Sequence, residues 1–190
     1  MPYDPPPELA SLSLAEIADA VAARRVPPVD QWTPASSGES HMRIAGNGQW
    51  FHEGSAITRP AMVRAFASLL IRDEAGQHWL VTPHEKLAIA VDDAAFIATD
   101  LEVRADPQGR IALAFRLLTD EFVIAGPDHP IRAAGDPDTP ALYLGVRHGT
   151  EARLNRSTYG QLIDHALGVS GTGPLAVESL GNRFELAPPP

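Results

Sequence analysis

Met42-Arg43-Ile44-Ala45-Gly46-Asn47-Gly48-Gln49-Trp50 is the stretch on which the fold turns. Met42 and Ile44 alternate at the period of a half-buried strand. Gly46-Asn47-Gly48 is a tight-turn signal, and Trp50 opens a returning strand. After Ile57-Thr58-Arg59-Pro60 the period becomes helical. Met62, Val63, Phe66, Leu69 and Leu70 share one helix face, with Pro60 suited to the first helical position. Asp73-Glu74-Ala75-Gly76 then turns the chain into strands over His78–Thr82 and Lys86–Val91. Hairpin, helix and antiparallel strands in this order predict an α+β fold.

Working outward, residues 96–125 read as a meander of short strands, with turns at Asp106-Pro107-Gln108-Gly109 and Thr119-Asp120-Glu121. Leu142–Leu154 suggests a second hairpin turning near His148-Gly149. A second amphipathic helix follows, with Tyr159, Leu162, Ile163, Ala166 and Leu167 on one face, then a strand over Leu180–Leu186. Upstream, Ser13-Leu14-Ala15-Glu16 has capping-box spacing. Leu14, Ile17 and Val21 line one face of a short helix that Pro27-Pro28 stops. Pro5–Pro7 and Pro188–Pro190 cannot donate ladder hydrogen bonds and read as flexible tails.

The chain repeats itself at an offset of 97 residues. Arg59 falls on Arg156, each just before a helix. Met62 falls on Tyr159, Phe66 on Ile163 and Leu70 on Leu167. Thr82 falls on Ser179, Lys86 on Arg183 and Leu87 on Phe184. The expectation is a duplication, two related hairpin–helix–strand halves meeting near residue 95. The domains would be a tail and short helix over 1–27, an N-terminal α+β domain over 28–95, a C-terminal one over 96–187, and a tail over 188–190.

The 190 residues carry 15 Lys and Arg against 24 Asp and Glu, a formal charge of −9. That balance argues against a duplex-DNA binder, which needs a basic surface to displace counterions. Cysteine is absent, which excludes disulfides, zinc-thiolate sites and thiol catalysis. No apolar run is long enough to span a membrane, and the N-terminus does not resemble a signal peptide, so the expectation is a cytoplasmic protein. The positive charge is concentrated: residues 41–72 sum to +3 and residues 140–160 to +2, while 92–139 sum to −6.

Those two islands carry the candidate chemistry. A helix N-terminus presents unpaired N–H groups and a positive dipole end, so an adjacent Arg completes an anion site. Arg59 and Arg156 take that position, and Arg147 and Arg153 lie nearby on the second hairpin. Thr82 would add a hydroxyl and Lys86, the sole lysine, a cation. For each Arg taken singly, a structural ion pair or carbonyl cap is the plainer reading. Together they predict a cleft for a phosphate- or carboxylate-bearing molecule, which Arg grips through two parallel hydrogen bonds. The seven histidines show no metal-ligand spacing, and no nucleophile elbow or P-loop is present. No catalytic residue, metal or cofactor is therefore assigned.

Several blocks resemble one known family. They are Gly48-Gln49-Trp50-Phe51-His52-Glu53-Gly54-Ser55-Ala56-Ile57-Thr58-Arg59, Leu80-Val81-Thr82-Pro83-His84-Glu85-Lys86, Ala125-Gly126-Pro127-Asp128-His129-Pro130-Ile131-Arg132 and Val146-Arg147-His148-Gly149-Thr150-Glu151-Ala152-Arg153-Leu154-Asn155-Arg156. In this order they resemble the bacterial domain-of-unknown-function family 1285, over about residues 28–187. The resemblance implies a duplicated α+β core whose second half is a pleckstrin-homology-like β-barrel or roll. It also implies a ligand site between the halves for a nucleotide-like molecule, a role in signal transduction, and no enzymatic activity. His84 and Ala95 depart from the family pattern, where an aliphatic residue and Pro are usual.

The leading expectation is a non-enzymatic sensor or regulator binding a small phosphorylated or nucleotide-like anion through Arg59, Arg153 and Arg156. Lys86 and Arg147 would be supporting cations and Thr82 a hydroxyl donor. Two other readings compete: a hydrolase or transferase on such a substrate with His or Glu as base, and a module that docks a protein partner.

Overall fold

The computed structural model describes residues 8–169 and 173–188. The expectation of flexible proline tails falls outside the described residues, Pro188 apart. By internal contacts the chain forms two compact units. The first holds Arg25–Phe96 and Val146–Glu151; the second holds residues 8–24, Ile97–Gly145 and the described residues beyond 151.

Helix α1 (Leu14–Ala23) opens with the expected capping box: the Ser13 hydroxyl accepts from the Glu16 N–H, and Glu16 accepts from the Ser13 N–H. Its one fully buried side chain, Ile17, packs with Ala114, Leu12, Phe122 and Ile124. The helix therefore belongs to the second unit, although the first follows it in sequence.

The first unit is a six-stranded sheet with one helix on it. Strands β1 (Ser36–Ile44), β2 (Trp50–His52) and β3 (Ser55–Ala56) form one meander, and β4 (Leu70–Arg72), β5 (His78–Val81) and β6 (Glu85–Val91) another. The meanders join where β1 pairs in parallel with β6, giving the order β3-β2-β1-β6-β5-β4. The turn after Ile44 is the one expected, with Gly48 at φ 84°. Helix α2 (Pro60–Ala67) has Pro60 in its first turn but stops before Leu69 and Leu70. Leu70 instead pairs with Leu80 and is fully buried in the sheet, where strand pairing overrides the helical period. Ile44, Trp50, Leu70 and Ile89 form the buried centre, and Trp50 stacks on Phe66 at 6.3 Å between centroids.

The second unit repeats this plan with different lengths. Its meanders are β7 (Phe96–Ala105), β8 (Ile111–Leu117), β9 (Phe122–Ile124) and β10 (Ile131–Ala134), β11 (Ala141–Gly145), β12 (Glu151–Leu154). The order is β10-β11-β12-β7-β8-β9, so again the first strand meets the sixth. The two halves are thus similar six-stranded sheets in an α+β fold. The barrel expected of the C-terminal half is corrected: the sheet is open, with β9 and β10 at its edges.

Helix α3 (Arg156–Val169) follows, then β13 (Ala176–Ser179) and β14 (Asn182–Glu185), a separate two-stranded ribbon. Helix α3 buries Thr158, Leu162 and Ala166 and leaves Leu167 at 63 % exposure, so its inner face is rotated from the expected one. Both α1 and the ribbon reach β8, which is buried on consecutive residues. Ile17 packs with Ala114, while the buried Ser179 hydroxyl accepts from the Leu113 N–H at 2.9 Å and donates to the Ala125 carbonyl at 2.7 Å.

The 97-residue offset has a physical counterpart in hairpin register. Trp79↔Ala88, Leu80↔Leu87 and Val81↔Lys86 shift onto Ala176↔Glu185, Val177↔Phe184 and Glu178↔Arg183. The sheets, however, repeat in another frame: β1–β6 corresponds to β7–β12, and β13–β14 has no place in that correspondence.

Candidate functional site

A cavity of about 560 Å³ opens in the first unit, a size in the range of small-molecule sites. Met42 from β1, Ile57, Met62 and Phe66 from the α2 region, and Leu80 and Leu87 from the β5–β6 hairpin give it an apolar lining. His52, Thr58, Arg59, Thr82 and Glu85 are its larger polar groups, with Ser40 and Ser55 beside them.

A bulge shapes its β1 wall. The β1–β6 register shifts between Glu39 and Arg43, and His41 sits there at φ 55°, left-handed for a non-glycine residue. The buried Ser40 hydroxyl fastens this irregularity. It donates to the Ala88 carbonyl at 2.6 Å and accepts from the Met42 N–H at 3.1 Å. Two lining residues are thereby fixed on either side of a strained backbone position.

At the other wall, Arg59 is the N-cap of α2 in extended conformation, and its side chain caps nothing. Pro60 has no N–H, while Met62 and Val63 donate to the Arg59 carbonyl at 3.0 and 3.2 Å. The helix end therefore offers few free donors, and the positive character of this wall comes from the Arg59 guanidinium itself. That side chain is exposed and takes part in no ion pair among the described residues.

Thr82 closes the β5–β6 turn. Its hydroxyl accepts from the Glu85 N–H at 3.1 Å and from the His84 N–H at 3.3 Å. Lys86 lies outside the cavity lining, its Nζ 4.1 Å from the centroid of Trp79. Trp79 donates through Nε1 to Asp73 at 2.7 Å, and this bond chiefly holds the Asp73 carboxyl below its ordinary range. Arg147, also in the first unit, donates through Nη2 to the Ala67 carbonyl at 2.9 Å and lies 4.9 Å from the Phe96 ring. It thus caps the C-terminal end of α2, where a cation suits the helix dipole. Burial lowers its pKa to about 10.

Arg153 and Arg156 belong to the second unit and are exposed, on β12 and at the first position of α3. There the capping is done by Asn155. Its side chain accepts from the Thr158 N–H at 2.8 Å, and its carbonyl accepts from the Tyr159 N–H at 2.8 Å. Of the six residues singled out in the sequence, the cavity brings together Arg59 and Thr82. Sequence reading missed Met42, His52, Met62, Leu80, Glu85 and Leu87 as lining. The apolar ones carry the ordinary signature of core, and only the 40 % exposure of Met62 marks a surface opening.

A second hollow of about 490 Å³ lies in the second unit, lined in part by Arg110, His165, Glu178 and Arg183. Arg110 is paired with Asp106 at 2.7 Å, and Arg183 donates to the Pro174 carbonyl at 3.3 Å. Among the described residues no cluster of His, Asp or Glu could hold a metal, and no helix is long and apolar enough to cross a membrane.

Two open sheets, each of two three-stranded meanders joined through first and sixth strands, one bearing a ligand-sized cavity, define a class of duplicated α+β protein. The chain belongs to the DUF1285 family. Residues 27–94 match "Domain of unknown function (DUF1285), N-terminal domain", and residues 95–186 match "Protein of unknown function (DUF1285), C-terminal domain". A crystal structure of a DUF1285 family protein from Silicibacter pomeroyi DSS-3 is 41% identical, covers 94% of this chain and 97% of its own, and superposes with a TM-score of 0.77. One from Shewanella baltica OS155 is 24% identical over 65% of this chain and 90% of its own, with a TM-score of 0.52, a likeness of fold. No curated protein matches the chain.

Proposed function

We propose that this protein is a non-enzymatic binding protein with a signalling role, and that the cavity of its first unit receives a small organic anion. The observation that carries this reading is the Arg59 guanidinium, in no ion pair among the described residues, on the lining of an otherwise mostly apolar cavity. An ion pair formed beside apolar surface is less screened than one in open water. Thr82 and Lys86 stiffen the hairpin that forms one wall. Arg147 holds the end of α2, and Arg153 and Arg156, in the second unit, remain candidates for an anion contact of that unit's own. The likeness of the C-terminal half to a pleckstrin-homology-type roll is part of the proposal; antiparallel meanders followed by a long helix support it. So is a two-domain division near residue 95, where the two family models meet. Cytoplasmic location is part of the proposal as well.

The test is a thermal-shift and calorimetric screen of the full chain against fatty acids, aromatic carboxylates and nucleoside phosphates. At least one class is expected to bind and to lose affinity in Arg59→Ala. A screen without a binder, or a binder indifferent to Arg59, overturns the reading.

A further inference from the structure

The charges around the cavity narrow the ligand, given the reading of that cavity as an anion site. Arg59 and Glu85 both line it, and no other Lys, Arg, Asp or Glu does. Neither is in an ion pair among the described residues. The two charges sum to zero. A phosphomonoester brings roughly −1.5 to −2 charges at neutral pH. It would meet one guanidinium and, in the same cavity, a repelling carboxylate. A monoanion needs only the guanidinium.

The body of the ligand is constrained as well. A nucleobase asks for stacking surface and for polar groups along its edge. Phe66 is the one Phe, Tyr or Trp on the lining, where the His52 imidazole is the other ring, and it is already stacked with Trp50. The Ser40 hydroxyl is occupied by backbone groups of β1 and β6, and the Thr82 hydroxyl by those of its own turn. His52, Ser55 and Thr58 are the other polar groups of the lining, and its apolar part is chiefly Met42, Ile57, Met62, Leu80 and Leu87, a surface of thioethers and branched aliphatics. Methionine side chains are unbranched and polarisable, and they mould to flexible apolar chains.

We propose that the cavity binds a medium-length acyl monocarboxylate, its carboxylate against Arg59 and its chain over Met42, Leu80 and Leu87. Glu85 serves to reject polyanions, and Met62 is the movable side chain at the opening.

The experiment titrates the full-length protein with decanoate, decanol and AMP by calorimetry. Decanoate is expected to bind saturably, about two- to fivefold tighter than decanol, the contribution of one exposed ion pair. Arg59→Ala should bring decanoate to the level of decanol and leave decanol unchanged. Met62→Trp, at a position 40 % exposed where a ring displaces no core, should weaken both. Decanoate binding unaffected by both variants overturns the inference. Arg59-dependent AMP binding without decanoate binding overturns the acyl ligand and leaves the anion site standing. No binding by any of the three refutes the acyl ligand, and a binder elsewhere in the wider screen would still uphold the anion site.

Discussion

Gly149 faces the backbone carbonyl of Arg72 so closely that a Cβ on it would stand 2.6 Å from that oxygen. Its φ is +76°, and the adjacent His148 carbonyl accepts the Arg72 N–H at 2.9 Å. Both conditions exclude a side chain, because neither backbone segment can retreat without breaking that bond. Gly149→Ala should cost on the order of 2–4 kcal/mol, left-handed strain plus a clash. Gly109→Ala, at φ +77° in open space, should cost only about 1–2 kcal/mol. Urea denaturation of the two variants side by side checks the difference.

Ser40 tests the bulge that shapes the cavity. Replacing it by Ala leaves the Ala88 carbonyl and the Met42 N–H without their hydroxyl partner in a buried place. The expected loss is about 1–3 kcal/mol. Amide exchange at Met42 should also quicken more than at Ala125, whose N–H donates to the Leu113 carbonyl in the second unit.

Ile17 tests the attachment of α1 to the second unit. Its side chain is fully buried beside Ala114, Phe122 and Ile124. Ile17→Ala should cost about 2–4 kcal/mol, while Ser13→Ala, which removes only the cap, should cost about 1 kcal/mol. If α1 were merely a tail, proteolysis would remove it without changing the unfolding midpoint.

His78 gives the pH dependence a sign. Burial, chiefly, holds its imidazole below the ordinary value of 6.5, and the Arg72 guanidinium adds to the effect. The unfolded chain therefore takes up the proton first as pH falls. Stability is fully present above about pH 6.5 and declines below it until the folded imidazole is itself protonated. Unfolding midpoints in urea from about pH 7.5 to about pH 5.5 should fall for the parent chain and fall less for His78→Gln.

Much of this molecule is local and therefore legible in its residues. The Ser13–Glu16 box, the Gly46–Gly48 turn, Pro60 at the start of α2 and the hairpin near His148-Gly149 all depend on neighbours within a few positions. What was misjudged depends on distant partners. Leu70 has the spacing of a helix residue, yet its pairing with Leu80 makes it a strand residue. Leu167, expected on the buried face, is exposed and Thr158 is buried, because α3 meets its neighbours on a rotated face. The helix-end anion sites are largely closed by groups in plain sight, Pro60, the Arg59 carbonyl and Asn155, whose roles depend on where each helix begins.

The sequence by itself determined the α+β class, most strand and helix positions, and an internal likeness at a spacing of 97 residues, for these follow from periodicity and turn chemistry. Only the tertiary structure decided that the sheets repeat as β1–β6 and β7–β12, that α1 packs in the second unit, and that Arg59 stands over a cavity. Periodicity says which side of a strand is apolar. Whether that side meets another element or encloses a space is fixed by long-range pairing, which a local pattern does not encode.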